Sequence, residues 1–389
     1  MRQNNTKPRI SVFMVCTFFY WFTMYTYVPT MTPYLADLGI SFTMIGIIGG
    51  SYGFAQFVLR IPLGITSDRL GKRKPFIIFG LAAGAVSSIG MFFTQSAFLI
   101  LALRLLSGVS ASAWVVFTVL FTGYFEKEKR ASMMSYLFIA NGLGLMLSKF
   151  FGGLLAEYYG HEYSFLLGGA SGIIAIILSL FIIEKTPDIN EPPSIRKLIG
   201  AIKNRNLLVM SLLAVFSQMI MHSTTNTFTS EAAAQTGADL MQIGLLATVA
   251  SIPAILSYII CGKLYSLKNI NVRYILAIAF FLQVAGTLII PFAGNMTAIY
   301  ISTILTGFGC GICISTLTGF CTQTVEESKR SAAMGFFQAT YAFGMFIGPV
   351  ILGIFVDWTG IPGGFFAAAA FAAIGLVLTL ILLVSPQRS

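Results

Sequence analysis

Apolar residues fall in long unbroken runs along this chain, and short polar breaks separate them. Twelve such runs are legible, at roughly 10–35, 43–67, 75–94, 98–123, 131–156, 163–184, 207–230, 240–264, 273–293, 296–321, 331–356 and 362–384. Each reaches the ~20 residues that a helix needs to cross a bilayer. The pattern predicts an all-α membrane protein of twelve transmembrane helices. Composition agrees. Hydrophobic residues make up 56% of the 389 positions and charged residues only 10%, against about 25% charged in ordinary globular domains. A water-facing surface cannot be built from so few charges, so the expected partner is the lipid bilayer. Met1 to Arg9 is polar and basic. The run behind it is too long for a signal peptide and lacks a small-residue cleavage site, so it reads as a retained first span.

Charge then orients the spans. Of the 24 lysines and arginines, 21 fall in alternate breaks: Arg2 to Arg9, Arg69 to Lys74, Lys127 to Arg130, Lys185 to Arg205, Lys263 to Arg273, Lys329/Arg330 and Arg388. The opposite breaks hold no base and carry Asp37, Glu157, Glu162, Glu231, Asp239 and Asp357. By the positive-inside rule this predicts a multi-pass protein of the cytoplasmic (plasma) membrane with both termini cytoplasmic. The net charge of +10 is thereby accounted for without any nucleic acid.

The longest polar break divides the chain. Glu191-Pro192-Pro193 interrupts it, and Ile195 to Arg205 has the pattern of a short basic amphipathic helix on the inner leaflet. The expected units are 1–184, a six-helix bundle; 185–206, a cytoplasmic linker; and 207–389, a second six-helix bundle. The halves repeat. At an offset of 200, Glu126 matches Glu326, Lys129/Arg130 match Lys329/Arg330, and Met134 matches Met334; Gly144, Gly153 and Gly160 match Gly344, Gly353 and Gly360. Duplicated six-span units point to a secondary transporter with its substrate site between pseudo-symmetric halves.

One polar stretch stands out, Gly64-Ile65-Thr66-Ser67-Asp68-Arg69-Leu70-Gly71-Lys72-Arg73-Lys74, between spans two and three. Gly64-xxx-Asp68-Arg69-x-Gly71-Lys72-Arg73-Lys74 resembles the signature loop of the major facilitator superfamily. Arg104-xxx-Gly108 in span four resembles that family's second motif. With the 6+6 layout, the resemblance covers essentially the whole chain. The second-half copy of the loop is degenerate: Gly262 survives, but Ser266 stands where the acid would be. The resemblance implies alternating access, a cavity lined by spans one, four, seven and ten, and a proton as the default coupled ion. It implies that Asp68 pairs with or caps span eleven and so holds the cytoplasmic side closed, with Gly64, Arg69, Gly71 and Arg73 completing the gate. The alternative for the bases is a topology signal alone.

Candidate site residues follow from polarity inside the spans. An arginine near the bilayer centre costs about 2.5–3.5 kcal/mol and must face protein. Arg104 therefore reads as an anion-binding residue, as a control on a proton site, or as a hydrogen-bonding hub; its helical face continues to Trp114. Lys149 matches Pro349 in the repeat. Drug/proton exporters of the family typically carry Gly-Pro in span five, where this chain has Ser148-Lys149. Lys149 reads as an attractor for an anion, or as a snorkelling residue or a partner of Glu157. Arg60 either joins the gate or meets substrate. Span seven carries Gln218, His222, Thr225/Asn226 and Thr229 on one face. His222 is the best proton-coupling candidate there, with a satisfied neutral histidine as the other reading. Span one supplies Tyr20 and Trp21 for a planar substrate but no acid, a second departure from the drug/proton exporters; Tyr25 and Tyr27 read equally as an interfacial belt. Span eleven adds Gln338 and Tyr341.

Cys310 and Cys313 have CxxC spacing but lie on an apolar helix with no second pair, and all five cysteines read as packing thiols. No zinc spacing, nucleotide loop or nucleophile triad is present, so neither enzyme chemistry nor a cofactor is expected. The expected function is secondary active transport of a small, anionic organic solute by a monomer. The alternative is a proton-coupled multidrug or metabolite exporter, and a nontransporting sensor with a transporter fold ranks below both.

Overall fold

A computed structural model describes residues 6–126, 129–184, 200, 203–264, 271–321, 323, 325–326 and 329–383. The expected linker helix at Ile195 to Arg205 lies largely outside the described residues. Within them the chain is helical, and eleven stretches are long and apolar enough to cross a membrane. The last of these, Ala332–Leu382, lies in a helical stretch, Arg330–Leu382, that is two helices. Gly360 holds φ 73° and ψ 179°, a left-handed conformation that residues with a Cβ rarely adopt, and it turns the chain back. Twelve spans result among the described residues, as the apolar pattern predicts. They are α1 (Ile10–Asp37), α2 (Phe42–Leu70), α3 (Lys74–Phe92), α4 (Ala97–Thr122), α5 (Arg130–Tyr159), α6 (His161–Leu180), α7 (Arg205–Gln235), α8 (Leu240–Cys261), α9 (Val272–Phe292), α10 (Met296–Phe320), α11 (330–359) and α12 (361–382). Gly160, the repeat partner of Gly360, also has positive φ and ends α5.

Several spans are locally irregular: α4 breaks at Ala113 and α8 at Ala250, and α1 and α7 depart further from a regular helix. α1 is interrupted at Thr26 and Tyr27, and Val28–Asp37 forms its second segment with Pro29 near the start. α7 contains a π-helical turn over Thr224–Phe228. Such turns are rare and recur at functional sites because they re-aim side chains and release backbone carbonyls.

The apolar cores show how the halves are joined. At the face carrying the acidic loops, one cluster draws on both halves: Tyr27, Leu35 and Ile48 pack with Phe228, Leu246 and Leu352. Toward the basic face the cores are separate. One is built mainly by the first half, around Phe13, Phe117 and Phe121, and takes in Ala342 and Met345 of α11. The other belongs wholly to the second half, around Leu213, Phe280 and Phe337. The halves are therefore fused at the acidic face and divided toward the basic face. At the acidic face α5 and α8 touch backbone to backbone: a Cβ on Gly153 would lie 2.6 Å from the Cα of Gly244.

Candidate substrate site

Three buried cations stand between the two regions of core. Arg104 in α4 is 4% exposed. Its Nη1 donates to the Tyr27 hydroxyl (3.2 Å) and to Ser107 Oγ (3.3 Å). The guanidinium lies 4.6 Å from the ring centre of Tyr52 and 5.6 Å from that of Tyr27. Its Nε finds no hydrogen-bond partner among the described residues. Lys149 in α5 is equally enclosed; its Nζ donates to Ser251 Oγ of α8 (3.4 Å) and lies 5.9 Å from the centre of the Tyr25 ring. It points into the protein, so snorkelling to lipid is ruled out. Glu157 is occupied elsewhere, accepting from the amide of Leu240.

Arg60 in α2 crosses to the other half. It donates to Tyr341 Oη (2.9 Å), to the carbonyl of Gln338 (3.2 Å) and to Gln56 Oε1 (2.5 Å). Its Nε, like that of Arg104, has no partner among the described residues. Every acceptor that these three cations reach among the described residues is neutral.

The face of α7 expected from sequence is buried as predicted. Gln218, His222 and Asn226 are each less than a tenth exposed. The His222 ring stacks on Tyr52 at 6.2 Å between centroids, and His222 Nδ1 lies 3.4 Å from Asn226 Nδ2. The π-turn begins two residues past His222 and holds Asn226.

The aromatic candidates divide. Trp21 and Trp114 pack edge to face at 5.2 Å, and Trp21 Nε1 has no partner among the described residues. Tyr20 departs from the expectation. It is buried against Trp114 and Phe117, and its hydroxyl donates to the carbonyl of Ser110 at 2.5 Å. This side chain braces α1 on α4, with its one polar atom already satisfied. Two other tyrosines correct the sequence reading in the opposite sense. Tyr25 and Tyr27 form no interfacial belt: Tyr27 is fully buried on Arg104, and the Tyr25 hydroxyl lies 3.5 Å from that of Tyr52. Tyr52 itself was not a candidate, because one phenol in an apolar run carries no signal of its own.

The signature loop is built from within its own half. Gly71 has φ 61° and caps α2, its amide donating to the Asp68 carbonyl. Asp68 pairs with Arg73 at 2.9 Å, and Arg73 is buried. The amides of Arg73 and Lys74, at the start of α3, converge on the Glu184 carboxylate, and Lys74 Nζ donates to the carbonyl of Leu180. Arg69 and Lys72 are exposed, and a Cβ on Gly64 would lie 3.6 Å from Val115 of α4. The ion pair of Asp68 is thus made inside the loop rather than with α11. This is the arrangement expected when the basic side is divided.

Two six-helix halves, joined at one membrane face around buried polar residues, define the class of secondary carriers that work by alternating access. The chain belongs to the Major Facilitator Superfamily, whose sequence profile matches residues 13–232 and 211–389. An uncharacterized MFS-type transporter of Methanocaldococcus jannaschii is 27% identical over 92% of this chain and 95% of its own. The multi-drug resistance efflux pump PmrA of Streptococcus pneumoniae is 24% identical over 98% of this chain and 97% of its own. Among solved structures, a point mutant of the nucleoside transporter NupG superposes with a TM-score of 0.82 at 14% identity, covering 98% of this chain and all of the other. A bacterial homolog of the human lysosomal transporter Spinster, inward-facing and occupied, gives 0.81 at 12% identity, covering both chains completely.

Proposed function

We propose that this transporter carries a small organic anion through the cytoplasmic membrane, with its basic face cytoplasmic. The observation that supports this is the set of three buried cations, Arg60, Arg104 and Lys149, whose acceptors among the described residues are all neutral. A buried charge left without a counter-charge is costly, and a carboxylate- or phosphate-bearing solute would supply that charge during each cycle. Arg104 and Lys149 would hold its anionic group. Trp21, Trp114 and Tyr25 would face its body, and His222 with Asn226 would complete the site from the second half. His222 is also the group proposed to exchange a coupled proton. The test is uptake of labelled mono- and dicarboxylates and organic phosphates by proteoliposomes. Arg104→Ala and Lys149→Ala should each reduce anion flux by about tenfold or more, the scale of a lost charge-assisted hydrogen bond. If both variants transport anions at the parent rate, the proposal fails.

Multidrug export is the second reading. It is favoured by the similarity to PmrA and by the aromatic lining around Trp21 and Trp114. Cells overproducing the protein would then expel cationic dyes, and Lys149→Ala would leave that efflux intact or improve it.

A further inference from the structure

Two carboxylates at the acidic face bond across the boundary between the halves. Asp357, at the end of α11, accepts from the amides of Phe42 (2.8 Å) and Thr43 (2.7 Å), the first two residues of α2. Glu157, near the end of α5, accepts from the amide of Leu240 (2.9 Å), the first residue of α8. We infer that Glu157 and Asp357 are a symmetry-related pair of gating residues whose bonds to helix N-termini of the opposite half hold the acidic face shut.

The two contacts are copies of one device. Glu157 and Asp357 are separated by the 200 residues of the internal repeat, and each follows by one helical turn a glycine, Gly153 or Gly353, in the same register. Those glycines let the backbones meet. A Cβ on Gly153 would strike Gly244 and the Leu240 carbonyl, and one on Gly353 would strike the Phe42 carbonyl. Four residues on, the carboxylate reaches the amides of the same helix start. The first amides of a helix have no intrahelical acceptor and sit at the positive end of its dipole, so a carboxylate there is doubly favoured. No lysine or arginine lies in the loops of this face to compete for either acid.

The bonds also discriminate between states. Each joins the first half to the second, in crossed order, α11 to α2 and α5 to α8. When the halves part at this face the four helices separate and the bonds are lost, and only such differential contacts can bias a conformational equilibrium. The copies are unequal. Asp357 holds two amides and Glu157 one, so Asp357 should carry the larger bias.

Spin-label distance measurement on the full chain in nanodiscs tests this directly. One label pair, Gln95→Cys with Gly294→Cys, reports the acidic face. A second, Glu126→Cys with Glu326→Cys, reports the basic face. The five native cysteines, all buried, are replaced first. Alanine at both positions 157 and 357 should move the ratio of states by about tenfold, the scale of two lost caps. The acidic-face distance then lengthens while the basic-face distance shortens. Asp357→Ala alone should shift the ratio more than Glu157→Ala, with Asp357→Asn, which keeps an acceptor, between parent and Asp357→Ala. Unchanged distances in the double variant overturn the inference. So does lengthening at the acidic face with no matching shortening at the basic face, because that marks local unfolding rather than rocking.

Discussion

Lys149 should make the empty transporter less stable than a neutral residue would. Its ammonium has one long hydrogen bond, 3.4 Å to Ser251 Oγ, and a ring contact of 5.9 Å to Tyr25, at the outer limit of a cation–π interaction. A lysine well inside a span costs about 2.5–3.5 kcal/mol. One ordinary hydrogen bond offsets about 0.5–1.5 kcal/mol of that, and a contact near 6 Å about 0.5 kcal/mol more. Methionine fills nearly the same length without the charge. Ser251 is not orphaned by the change, because its hydroxyl also donates to the Ala247 carbonyl. Lys149→Met is therefore expected to stabilise the ligand-free protein by about 1–2 kcal/mol. Thermal unfolding in detergent, with and without a transported anion, measures this. The parent should melt lower when empty and gain stability with anion, by about 2.7 kcal/mol at a hundredfold excess over Kd. The variant should melt higher when empty and gain little. If Lys149→Met melts below the parent without anion, the lysine serves packing. If the variant keeps the full anion-dependent gain, the anion does not bind there.

Two further substitutions probe the frame. Gly153→Leu drives a side chain into the backbone of Gly244, an overpacking of about 1–3 kcal/mol; it should disfavour closure of the acidic face and speed labelling of an Ala232→Cys reporter, which is 6% exposed, by an impermeant maleimide added to that face. Asp68→Ala leaves the buried Arg73 without its carboxylate and should cost about 1–3 kcal/mol; in a double-mutant cycle followed by unfolding, adding Arg73→Ala should recover at least half, and full additivity would mean the two side chains are not coupled.

The spans, their number and the break at Gly360 were legible because lipid demands long apolar runs and a turn between two of them needs a residue free of Cβ strain. The burial of Arg104, His222 and Asn226 was legible for the same reason, since a polar group inside a span has to face protein. What those groups touch was not. Tyr52 and Tyr27 look like any aromatic in an apolar stretch, and only the packing of α1 and α2 on α4 makes them faces for Arg104. Tyr20 carried the same sequence signal as Trp21, yet its hydroxyl is consumed by the Ser110 carbonyl. Asp68 matched a motif, but the partner it holds depends on how far apart α2 and α11 stand at the basic end. Asp357 was visible only as an acid among acidic breaks, and Glu157 as that or as a partner for Lys149, because their actual partners are backbone amides and sequence does not mark those.

The distribution of charge between the halves bears on how such a carrier would move its solute. Arg60, Arg104 and Lys149 all belong to the first half, and the second half meets them with neutral groups: Tyr341, the Gln338 carbonyl and Ser251. The duplication itself does not impose this, since the repeat partner of Lys149 is Pro349, which packs on the backbone of Gly46. An anion held by Arg104 and Lys149 would travel with the first half, while the second half presents it with hydrogen-bonding groups that can be exchanged for water as the halves rock. Were cations supplied by both halves, a bound anion would cross-link them and oppose their separation. With the cations on one side, the anion offsets a buried charge in both end states. The second half can then part from it at the loss of only neutral contacts, about 0.5–1.5 kcal/mol each, which keeps the barrier to rocking low.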